Sequence, residues 1–288
     1  MKQLMSLINK EIYVRRWSLI SFSVGSIAFL LLYVLIFPSF QHETAKFNEL
    51  LRSYPKAVLK AFNIENLQFS SIEGYISAEH FSFVWPLLAI FLAISTAGNA
   101  IAGEIEKATM AITLSMPTIA GEIEKATMAI TLSMPIKRAK IYTAKALSGL
   151  LSIGGFALVT TLSLIPLSKI NNVSLNYNHV LKVSVLATLF ALAIYCLAMM
   201  FSAIYSEKSK VYFWTGGILV SMYVANIVSG LVNGLKNLEY VSLFHYFSAD
   251  KAIVQGQLSL QSILVFISLS IISLLIGYAV FIKRDISV

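Results

Sequence analysis

Charge is scarce in this chain. Charged residues make up 12% of its 288 residues and hydrophobic residues 57%, with a mean hydropathy of +0.77. A soluble domain carries about 25% charge. Half that proportion cannot cover a water-facing surface, so most of the surface must face lipid. Cysteine is scarcer still. The single Cys196 lies inside an apolar run, which excludes an intrachain disulfide and implies a buried, unreactive thiol. The four histidines, His42, His80, His179 and His245, are dispersed in loops or at the ends of apolar runs, without metal-ligand spacing. No acid, base or histidine occupies the centre of an apolar run. This argues against proton pumps and ion-coupled carriers, which keep such groups at membrane depth. No G-x-x-x-x-G-K-[ST] phosphate loop occurs, so if ATP drives this protein another chain binds it. No paired catalytic constellation is present, and neither a cofactor nor a metal is expected on this chain.

What the chain does have is length of apolarity. A helical membrane span needs about 20 mainly apolar residues, and six stretches qualify: 17–38, 81–102, 146–168, 181–204, 211–233 and 261–282. The fold class expected is therefore an all-α integral membrane protein, one transmembrane domain over residues 1–288. The first stretch is too long for a signal-peptide core and has no clear cleavage site, so it reads as a retained span. Trp17, Trp85, Tyr212 and Trp214 sit near span ends, as interfacial belts do. Before the first span, Met1, Leu4, Met5, Ile8 and Ile12 share one helical face. Residues 1–16 are expected to form an interfacial helix along the membrane before the chain turns inward. Between spans, 39–80 and 235–260 contain apolar residues at helical spacing, which predicts short helices on the outer leaflet.

The net charge of +8 does not signal nucleic acid, because the basic residues cap the apolar runs rather than form a patch with interleaved aromatics. Fourteen of the 22 lie on one side of the membrane: in the N-terminal segment, the second and fourth loops and the C-terminus. Positive residues mark the cytoplasmic side, so both termini and residues 103–145 are expected there, in a multi-pass protein of the cell membrane.

Residues 101–118 and 119–136 form a direct repeat, IAGEIEKATMAITLSMP, differing only at the last of 18 positions. Eighteen residues are about five α-helical turns, so the insertion preserves the phase of side chains around a helix. A recent duplication, an engineered insertion or an assembly error would each produce it. Pro117 disfavours helix at Met116, which predicts two helical pieces with a break near 115–119.

In this region the chain resembles the membrane subunits of type-2 ABC exporters. In that family span two runs into a cytoplasmic segment with Gly-Glu-x-Glu, then Gly-Thr, a Leu-rich turn and Pro-[Ile/Val]-x-Arg, with a Lys before span three. The second copy supplies Gly121, Glu122, Glu124, Thr127, Leu132, Pro135, Ile136 and Arg138, followed by Lys145. The first supplies Gly103, Glu104, Glu106, Thr109, Leu114 and Pro117, then departs at Thr118 and Ile119. Both copies carry Ala, at Ala108 and Ala126, where the family commonly has Gly. SYPKAVLKAFNI in the first outer loop and SADKAIVQGQL before the last span extend the likeness over most of the chain.

The resemblance implies that two permease subunits pair. Each would dock a cytoplasmic ATPase, which carries the ATP and Mg, through the 101–136 segment. Of the two copies the second is expected to face the ATPase, since only it has the basic continuation. The acids lie near helix starts, where the dipole favours negative charge, and could meet a partner's basic groups or simply pair with Lys107 and Lys125. In span five, Gly217, Ser221, Ala225 and Ser229 form a small-residue stripe that lets another helix approach closely, in a second subunit or in the same one. Charge-free spans point to a hydrophobic or amphipathic cargo, or a peptide. A stand-alone channel or secondary carrier and a non-transporting scaffold are the competing readings.

The orientation is directly testable. With Cys196 replaced by serine, an impermeant thiol reagent outside intact cells should label Ser70→Cys and spare Ser6→Cys. The reverse pattern would overturn the topology.

Overall fold

A backbone in lipid has no water to bond, so each spanning segment must satisfy its own N–H and C=O groups. The result here is a helix bundle. The structure, a computed structural model, describes residues 2–41, 71–107, 138–170 and 175–284. Helix α1 covers Lys2–Gln41 and α2 Ile72–Ile76, followed by a π-helical stretch Ser77–Val84 and α3 Trp85–Ala100. Then come α4 Arg138–Leu162, α5 Leu164–Ser168, α6 Tyr177–Ile204 and α7 Lys208–Leu231. A 3-10 stretch Asn233–Val241, two short helices α8 Leu243–Tyr246 and α9 Ala249–Ile253, and α10 Leu260–Lys283 complete the order. Six membrane spans result: Leu4–Ser39, Ile72–Ala100, Arg138–Ser168, Tyr177–Ile204, Lys208–Leu231 and Leu260–Lys283. Each matches one of the six apolar runs read from the sequence.

Three expectations change. Residues 2–16 do not turn away from span one but continue it as a single helix of 40 residues. Its inward face carries Ile8 together with Glu11 and Arg15, while Met5 is exposed. Span two begins at Ile72, about ten residues early, through the π-helical stretch. Pro86 gives the physical reason for the wider turns. It donates no bond, and its ring would meet the carbonyl four residues back in a regular α-helix. The early start brings Glu79 and His80 inside the helix. His80 is fully buried, with Nε2 3.4 Å from Ser26 Oγ in α1, rather than at a span end. Lastly, Trp85 is not an interfacial residue. It is fully buried, stacked on Phe156 and Phe247, and its indole N–H donates to Thr160 Oγ1 at 2.9 Å.

Span four is the hub, packed against spans two, three and six. Its buried face alternates bulk with Ala187, Ala191, Ala198 and Ala203, and small residues let helices approach where no hydrophobic force drives them together. Cys196 is buried on this helix, as its apolar context predicted. Span six instead exposes Leu264, Ile271, Ile272 and Leu275, as a lipid-facing helix should. The short helices α8 and α9 confirm helical structure after span five. Phe247, between them, stacks on Phe190 with centroids 4.4 Å apart, while His179 and Lys182 of span four hold the backbone carbonyls of Ile253 and Gly256. Residues 42–70, between the first two spans, lie outside the described residues.

Spans three and four approach closely at Gly149. A Cβ built on Gly149 would lie 2.0 Å from the Tyr195 hydroxyl, which donates to Lys145 O at 3.1 Å. Gly149→Ala should therefore displace the tyrosine and destabilise the detergent-solubilised protein by about 1–3 kcal/mol, as overpacking does. In a Tyr195→Leu background the added methyl should cost much less. Wild-type thermal stability of Gly149→Ala would show that the two spans have room to spare.

Candidate functional site

The ends of the spans that bear the termini converge on a set of buried charges. Ile101 closes α3 with φ −121° and ψ −60°, outside helical geometry, and residues 102–107 resume as helix. The N–H groups of Ile101 and Ala102 both point at Ser202 Oγ of span four, at 3.3 and 3.1 Å. This gives the interrupted backbone the acceptor it lost at the bend. Gly103 sits where a Cβ would come within 2.8 Å of the Lys208 stem, so glycine lets that stem lie across the helix.

The two acids of the first copy then diverge. Glu104 Oε1 accepts from Lys145 Nζ at 2.8 Å, and Glu106 Oε2 accepts the backbone N–H of Lys208 at 2.8 Å. That second bond caps α7, whose N-cap residue Glu207 makes no side-chain cap of its own. Lys145 reaches a second carboxylate as well, Glu11 Oε1 at 2.8 Å, and Glu11 Oε2 accepts from Arg15 at 2.6 Å. The Lys145 side chain is only 3% exposed. Losing one partner of a buried pair typically costs about 3–5 kcal/mol, because the other charge is left uncompensated. The lysine therefore fixes α1, the start of span three and the segment after span two relative to one another.

A second junction lies nearby. The Arg284 guanidinium donates to Ala203 O at 2.9 Å and to Ser206 Oγ, and Arg138 donates to the Arg284 carbonyl. Burial pulls the pKa of Arg284 below that of a free guanidinium. The last span, the loop after span four and the start of span three are tied together here.

The family model described as ABC-2 family transporter protein matches residues 5–286. The chain belongs to this ABC-2 family. It is the membrane-embedded permease subunit of an ABC transporter. No curated protein matches the sequence.

Against this family background, the described residues include three of the proposed coupling positions, Glu104, Glu106 and Arg138. All three are engaged within the chain, and Glu104 and Glu106 bond to Lys145 and Lys208 rather than to Lys107. Thr109, Pro117, Glu122, Glu124, Thr127 and Pro135, with the break expected near 115–119, lie outside the described residues. Glu11 and Lys208, which sequence reasoning did not connect to the segment, join it in space. The sequence signal was the charged face of the first helix, where Glu11 and Arg15 stand four residues apart.

The span-five stripe divides. Gly217 and Ser221 are exposed, Ala225 is partly covered and Ser229 is buried. Nothing stands within 4 Å of a Cβ at Gly217. Beside it, between spans two and five, an apolar groove of about 600 Å³ is lined by Phe22, Phe83, Phe91, Tyr212, Val220 and Tyr223 among others.

Proposed function

We propose that this permease is half of an exporter whose energy comes from a separate cytoplasmic ATPase docked on residues 101–136. The observation that supports this best is the way Gly103, Glu104 and Glu106 leave span two. With Ile101 and Ala102 they form a segment hinged at Ile101 and bonded to spans three, four and five, and through Lys145 linked to α1, so a push on it is delivered to most of the bundle. The second copy is the one assigned to face the ATPase, because only it continues into the basic residues Lys137 and Arg138. Deleting 101–118 brings Glu122 and Glu124 into the places of Glu104 and Glu106 with identical neighbours, so the deletion should fold, bind the ATPase and transport. The purified permease alone should hydrolyse no ATP, and activity should appear when it is combined with a separate cytoplasmic ABC ATPase that binds it. Turnover by the contaminant-free single chain, or a well-inserted deletion that loses both docking and transport, would refute this assignment.

The second subunit is proposed to meet the exposed part of the span-five stripe, at Ser221 and at Gly217, where no described residue stands within 4 Å of an added Cβ. The apolar groove beside it favours a hydrophobic or amphipathic cargo. Ser221→Leu should reduce dimer cross-linking in membranes several-fold without changing insertion. An unchanged dimer would move the interface elsewhere.

A further inference from the structure

Four side chains at the termini-bearing end form a linear series of alternating charge, Arg15, Glu11, Lys145 and Glu104, joined at 2.6, 2.8 and 2.8 Å. The series is incomplete at both ends. Arg15 Nη1 and Glu104 Oε2 are each buried without a hydrogen-bond partner among the described residues. A buried guanidinium N–H and a buried carboxylate oxygen are each costly to leave unmade. Each is the chemical complement of the other, and they are separated by the two residues that occupy the middle of the series.

The elements that carry them differ in freedom. Arg15 and Glu11 ride on an unbroken helix. The Lys145 backbone is held through its carbonyl by Tyr195 and Ser148. Glu104 stands three residues past the non-helical backbone of Ile101, on the one element of the three with a built-in bend.

We propose that this series is a two-position ionic latch. In the described position Lys145 bridges Glu11 and Glu104. When the segment after Ile101 swings toward α1, Arg15 takes Glu104 through the two atoms now unpaired, and Lys145 keeps Glu11. Both positions leave the group neutral and bonded, so the segment exchanges partners without exposing a lone charge. Lys145 acts as the positioning residue that selects between them. The latch rests on the reading of 101–136 as the ATPase-driven segment, but the exchange itself can be measured on the permease alone.

Spin labels at Ser6→Cys and Lys107→Cys, both exposed positions, in a Cys196→Ser background report the distance between α1 and the segment. In nanodiscs the parent protein should give one main distance. Lys145→Met should shift the population to a second one, Lys145→Arg should keep the first, and adding Arg15→Gln to Lys145→Met should remove the second. A Lys145→Met distance equal to the parent's, or a second distance that survives Arg15→Gln, overturns the latch. Should Lys145→Met not insert, Arg15→Gln alone decides it. That variant should keep the parent distance at rest and lose the shift that ATP and vanadate produce in the parent combined with a partner ABC ATPase. If the ATPase binds and ATP produces no shift in the parent, the latch is wrong and the coupling reading stands. If Lys145→Met shifts the distance and no ATPase binds, the latch stands and the coupling reading fails.

Discussion

A buried ammonium group must have anions within reach, and Lys145 has two. Its carboxylate partners come from two different segments of the chain: Glu11 is 134 residues away and Glu104 is 41. Satisfying one cation therefore requires α1, span three and the exit from span two to meet at one point. The packing of the bundle follows from that requirement. Tyr195 lies over the Lys145 carbonyl, Gly149 makes room for the tyrosine, and span four occupies the centre. Lipid supplies no alternative solvent for the charge, so the arrangement is held by the cost of leaving it.

Two regions of the molecule are stabilised by different means. At the termini-bearing end, ion pairs and helix caps join segments that carry polar residues in sequence. At the other end, rings do the same work: Phe247 fills the space between Trp85 and Phe190, and the turn at Gly256 is pinned by His179 and Lys182. The lipid-facing helices between them contribute few specific contacts and many exposed apolar side chains. An ABC-2 permease thus has a polar joint where a partner is proposed to push and an aromatic lid at the far side.

The six spans were legible because lipid demands uninterrupted apolarity, and that demand is written residue by residue. Their edges were less so. Glu79 and His80 read as loop residues because the apolar run starts after them, yet the π-helical turns before Pro86 carry them inside the span. Trp85 looked interfacial because it begins an apolar run. Its burial depends on Phe156 and Phe247, which lie far along the chain and show no pattern that pairs them with it. Of the site, the Gly-Glu-x-Glu segment and Lys145 were visible as motif residues. Their bonds were not, since helical spacing reveals neighbours three or four residues apart and says nothing about partners across a bundle.

The unbroken course of α1 has a mechanical consequence. Two of its polar contacts, Glu11 with Lys145 and Ser26 with His80, stand 15 residues apart on one rod, about 22 Å along its axis. A flexible joint between them would let each be disturbed independently. Without one, α1 is a lever whose fulcrum lies in the membrane. A tilt that slackens the ion pair at one end carries through to the histidine contact in the interior, so a torque applied at the surface is felt at depth without any change in the helix itself.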